Sequence, residues 1–78
     1  MKIQVRKVLE KIEYVVYCND GVECGSAKTL KGAKDILRAN KKADREMGVD
    51  DIYYYIEKEY TYKVIGQKAG LLESERVY

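Results

Sequence analysis

Few residues in this chain are equipped for chemistry. Cys18 and Cys24 are its two cysteines, Asp50-Asp51 and Glu57-Glu59 are among its close carboxylate pairs, and histidine is absent. Without histidine there can be no Ser-His or Cys-His nucleophile, and two thiols alone do not make the usual zinc set. Gly21, Gly25 and Gly32 fit neither the dinucleotide-binding nor the P-loop spacing. Paired carboxylates can hold a metal or move a proton, yet acids on loops and strand surfaces are ordinary. The expectation is a non-enzymatic protein with no metal, no cofactor and no small-molecule substrate.

The two thiols need the local fold to be judged. On one face of a hairpin, Cys18 and Cys24 would be diagonal neighbours with Cα atoms about 7 Å apart or more. That is the limit of disulfide reach. Two small apolar side chains is the simpler reading, and a redox-responsive pair is the sharper one.

The elements that carry these residues follow from periodicity. Thr29 to Gly48 reads as a helix, with Thr29 as N-cap and Gly48 as the residue that ends it. At about 100° per residue, Leu30, Ala33, Ile36, Leu37, Asn40, Ala43 and Met47 gather on one side. Lys31, Lys34, Arg38, Lys41, Lys42 and Arg45 gather on the other.

Met1 to Cys18 reads as a strand whose apolar side changes phase. Ile3 and Val5 are odd-numbered, whereas Ile12, Tyr14, Val16 and Cys18 are even. A one-residue slip flips every side chain, so a bulge or bend is expected between Lys7 and Lys11. Asn19-Asp20-Gly21 suits a three-residue hairpin loop. It would return Val22 to Ala27 with Cys18 facing Val22 and Val16 facing Cys24. Ile52 to Ile65 alternates with period two, and Gly66 ends it.

Together these elements predict a small α+β domain of order β-β-α-β over residues 1–66, with 67–78 as a polar tail. The sheet is expected to be three-stranded and antiparallel, in order 2-1-3, with the helix on one face; order 1-2-3 with a right-handed crossover is the alternative. The expected core is Ile12, Tyr14, Val16, Cys18, Val22, Leu30, Ala33, Ile36, Leu37, Ala43, Met47, Ile52, Tyr54, Ile56 and Tyr62. In architecture this order resembles three-stranded-sheet DNA-binding domains, an analogy of fold alone. Those domains read DNA with a basic sheet face, whereas the free sheet face expected here is acidic.

Two surfaces are then candidates for function. The first is the sheet face away from the helix, with Val15, Tyr17, Tyr53 and Tyr55 beside Glu13, Glu23, Glu57 and Glu59. All eight aromatic residues are Tyr, whose apolar ring and polar tip suit interfaces. A chain this short buries only about 60% of its unfolded surface, so self-association through that face would enlarge a small core. The second surface is the basic arc of the helix, which could track phosphates.

The overall charge of +2, from 15 Lys and Arg against 13 Asp and Glu, is too small to argue for nucleic acid by itself. It does argue against a DNA mimic, which would need a large acidic excess. MKIQVRKVLEKIEY lacks the uninterrupted apolar core of a signal peptide, and no apolar run approaches a membrane span. The expectation is a soluble cytoplasmic protein-binding module, self-associating through the tyrosine face, with a nucleic-acid-binding helix as the alternative. A stand-alone domain of this size also suits a phage or mobile-element accessory protein that modulates a host factor.

Overall fold

The computed structural model describes residues 6–19, 21–49 and 51–78. The elements run β1 (Lys7–Cys18), β2 (Val22–Ala27), α1 (Leu30–Glu46), β3 (Tyr54–Val64) and β4 (Leu71–Arg76). They form one antiparallel sheet of order β2-β1-β3-β4 with α1 against one face. The expected 2-1-3 order holds, but the sheet has four strands rather than three. Residues 71–76, expected within a tail, pair with β3 from Tyr62↔Leu71 to Glu57↔Arg76.

The phase change in β1 is a bulge. The ladder with β3 jumps from Leu9↔Tyr62 to Lys11↔Thr61, leaving Glu10 as the extra residue. Leu9 and Ile12 therefore share the helix side of the sheet despite their odd and even numbers. Ile3 and Val5 lie outside the described residues, as do Asp20 and Asp50.

β1 and β2 close at Cys18↔Val22, the rung expected at the base of the hairpin. Val16, however, pairs with Gly25 and not with Cys24, because Cys24 is the extra residue of a second bulge. Gly25 lies beneath the helix with φ +155°, and a Cβ there would meet Ile36 Cγ2 at 3.0 Å. The missing side chain is what lets α1 settle onto β2.

The helix is capped as its sequence predicts. Thr29 has extended backbone angles, and Gly32 N–H donates to its Oγ1 at 3.0 Å. Asn40 turns inward along its own helix, its Nδ2 donating to the Ile36 carbonyl at 2.9 Å.

The core is smaller than the sequence predicts. Val16, Ala33, Leu37 and Ile56 are its buried centre, with Tyr14, Cys24, Ala27, Leu30, Ile36, Tyr54 and Val77 packed around them. Val22 is 61% exposed and Met47 78%, while Ile12 and Ala43 are also exposed. The reason is geometric: α1 covers the sheet only from Tyr14 to Cys18 and near Ile56. Met47 follows the last turn of the helix, and Val22 sits at the hairpin tip.

Among the described residues no helix packs on the sheet beyond the region that α1 covers, although Val64 there is only 6% exposed. This overhang of the sheet comprises β1 from Lys7 to Ile12, β3 from Tyr60 to Val64, and β4. The molecule is 58 Å long with a radius of gyration of 16.2 Å, against about 11.5 Å for a compact chain of this length. No helix among the described residues is long and apolar enough to cross a membrane.

Candidate functional site: a tyrosine row on the helix-free face

Alternation along β1 and β3 sends Tyr17 and Tyr55 to the face opposite α1, where they are direct ladder partners. Their rings stack at 5.5 Å between centroids, with planes 21° apart. Tyr53, just before β3, extends the row at 6.1 Å from Tyr55 and is 52% exposed. Both spacings lie within the offset-stacking range. The structure thus assembles three of the four tyrosine-face residues into one continuous aromatic strip. Val15 differs: it is only 2% exposed, held between its ladder partners Ser26 and Glu57. It supports the face from below and offers no surface to a partner.

Acids line the strip. Glu23 is the ladder partner of Tyr17 on β2, and Glu57 and Glu59 continue along β3. Tyr17 Oη donates to Glu59 Oε2. Glu13 pairs with Lys11 at 3.0 Å, and bonding from Ser26, with Lys11 beside it, holds its carboxyl below the ordinary carboxylate range. Arg76, the ladder partner of Glu57, lays its guanidinium 4.9 Å from the Tyr55 centroid. The face therefore carries an excess of carboxylate around aromatic rings, and one of those rings already holds a cation.

On the other side of the sheet a second polar cluster joins helix to strand. Tyr54 Oη donates to Asp44 Oδ2 near the C-terminal end of α1. Cys18 and Cys24 are both free thiols and half-buried there, and Cys24 Sγ donates to the Val22 carbonyl at 3.5 Å. Burial first, and then the hydrogen bond with Cys18, push the Cys24 thiol from 9.0 up to about 11. The hydrogen bond to Asp44, aided by desolvation, likewise raises the Tyr54 phenol, and the bond to Glu59 raises Tyr17.

All three groups are acids held neutral by the fold. Raised in this way, each contributes stability that is complete below its unfolded value and is lost as pH climbs through the folded one. Stability is therefore expected to be flat in these groups up to about pH 9 and to fall steeply above it. Urea midpoints at about pH 8 and about pH 11 check this. Tyr17→Phe combined with Tyr54→Phe should flatten the alkaline limb.

The cations of α1 are distributed differently. Lys31, Arg38, Lys41, Lys42 and Arg45 are exposed. Arg38 pairs with Asp35 at 3.4 Å, and the half-buried Lys34 sets its ammonium 4.6 Å from the Tyr78 ring centroid. A hollow of roughly 200 Å³ beside Lys41, Asp44, Arg45, Val49 and Ile52 falls below the size of an ordinary small-molecule site. Among the described residues no group of three or more His, Cys, Asp or Glu could hold a metal ion.

Sequence reasoning missed Arg76 and the part played by β4. Arg76 is the only cation of 71–76, and its opposition to Glu57 is the charge signal that could have placed it. No protein-family model matches this chain, and comparison with curated proteins and with solved structures finds no match in either.

Proposed function

We propose that this protein is a non-enzymatic binding module that takes a cationic segment of a protein partner on the tyrosine row. The observation that carries the reading is the strip of Tyr53, Tyr55 and Tyr17 set among Glu23, Glu57 and Glu59 on the face no helix covers. Ring faces attract guanidinium and ammonium groups, and surplus carboxylates supply long-range attraction. Arg76 on Tyr55 is the same contact made within the chain. The cations of α1 support nucleic-acid binding less well. Lys34 and Arg38 are engaged by Tyr78 and Asp35, and Asp44 and Glu46 share the helix.

The test is a titration with a dye-labelled Arg-rich peptide and with an acidic peptide of equal length. Binding of the cationic peptide should be preferred and should weaken with salt. Tyr53→Ala should weaken it by about two- to fivefold, the range of one exposed cation–π contact, and Glu23→Lys should add to the loss. Equal binding of the two peptides, or a Tyr53→Ala variant as good as wild type, would overturn the reading.

A further inference from the structure

Cys18 and Cys24 take no part in the tyrosine row, since they lie on the other side of the sheet. Ladder partners share a face, and the partner of Cys18 is Tyr54, whose hydroxyl reaches Asp44 on α1. Cys24 packs against the buried centre beneath the same helix. Both sulfurs therefore face α1 from neighbouring strands, and both are free and only half-buried.

The bulge in β2 sets their separation. In an unbroken ladder Cys24 would oppose Val16, two rungs from Cys18, with the Cα atoms about 7 Å apart or more. Instead Val16 opposes Gly25 and Tyr17 opposes Glu23. Cys24 is displaced towards the rung of Cys18, which shortens the diagonal towards the range of about 4.4–6.8 Å that a disulfide spans. The side chains agree with the register. Cys24 Sγ donates to the Val22 carbonyl at 3.5 Å, and Val22 is the ladder partner of Cys18.

We propose that Cys18 and Cys24 form a redox-active dithiol, which closes to a disulfide by exchange with small disulfides of the glutathione class and so staples β1 to β2. The Cys18 thiolate attacks one sulfur of oxidised glutathione, forms a mixed disulfide and expels one glutathione thiolate. Cys24, as its thiolate, then attacks the Cys18 sulfur, forms the internal bond and expels the second. Two electrons pass to the glutathione, and the two protons lost by the protein end on its two thiols.

The surroundings of Cys24 assign this order. Its thiol is pushed up to about 11, by burial first and then by the hydrogen bond with Cys18. The thiolate is the nucleophile, so Cys18 is the entry sulfur. A mixed disulfide on Cys18 withdraws the thiol that helps hold Cys24 protonated, and so prepares the second attack. Once the bond is closed, Cys24 is a slow leaving group and the staple persists.

The full chain, equilibrated with oxidised glutathione at mildly alkaline pH, then unfolded, alkylated and weighed by mass spectrometry, tests the proposal. Wild type is expected to stay monomeric, to take up neither alkyl groups nor glutathione, and to regain two alkylatable thiols after reduction. Cys24→Ser is expected to stop at the glutathione adduct on Cys18, and Cys18→Ser to take up far less. The closed form should have an unfolding constant lower by roughly ten- to fiftyfold than the dithiol, as a loop over 18–24 requires, read as a higher urea midpoint. Two thiols left in treated wild type, a retained adduct or cross-linked dimers would overturn the proposal. So would an oxidised monomer less stable than the reduced one, because the bond would then strain the fold. Equal adducts on the two serine variants would overturn the order of attack. Should either variant fail to fold, the wild-type masses and midpoints decide.

Discussion

Ile56→Ala is expected to remove about 2–5 kcal/mol of unfolding free energy, a large share of the roughly 4–12 kcal/mol that a chain of this length possesses. Ile56 is fully buried in the four-residue centre of the core. Its side chain packs against the helix-facing cluster while its backbone closes the C-terminus. Val77 N donates to the Ile56 carbonyl at 2.9 Å, and Ile56 N donates to the Tyr78 carbonyl at 3.2 Å. Truncation leaves a cavity that α1 cannot fill, because Gly25 and Gly32 already bring it as close to β2 as it can come. Urea denaturation at a fixed protein concentration measures the loss. Met47→Ala, at an exposed position the sequence places in the core, should change stability by no more than about 0.5 kcal/mol. Similar losses in the two variants would contradict the observed core.

The second large effect is expected at Gly70. A Cβ there would lie 2.7 Å from the Tyr62 carbonyl oxygen, and that oxygen belongs to the backbone of a central strand. Gly70 is not needed for a positive φ, so the cost is purely steric. Gly70→Ala must push β4 away from β3 at the Tyr62↔Leu71 end of their ladder, at about 1–3 kcal/mol. Amide exchange should report it as a loss of protection of about ten- to a hundredfold, confined to 71–78 and the facing half of β3. The Lys7–Glu73 pair and the seat of Val77 go with it. Unchanged exchange in this variant would mean that β4 is not held by that close approach.

The parts of the fold that could be read from the sequence are those where one local signal acts alone. Thr29 and the apolar spacing of Leu30, Ala33 and Leu37 are enough to place α1. The switch from odd to even apolar positions in β1 is enough to require a bulge, found at Glu10. β4 was hidden because LLESER neither alternates nor buries a side chain. It is a strand through its partner, by the opposition of Arg76 to Glu57 and the reach of Tyr60 to Glu75.

The core was overestimated for a similar reason. Periodicity says which side of a strand is apolar, not how far along it a helix reaches. Ile12 has the right side and the wrong distance. At the tyrosine face, Tyr17, Tyr53 and Tyr55 followed from alternation alone. The burial of Val15 depends on neighbours in two other strands.

The long β1–β3 ladder also implies an order of events in folding. Its rungs near the helix, such as Cys18↔Tyr54, join positions closer in sequence than those at the far end, such as Lys7↔Val64. Closing the shorter loop costs less entropy, and the hairpin and helix lying between these strands are local structures that form early. The ladder is thus expected to zip outward from the helix end, with the overhang as its last part to form and its first to open.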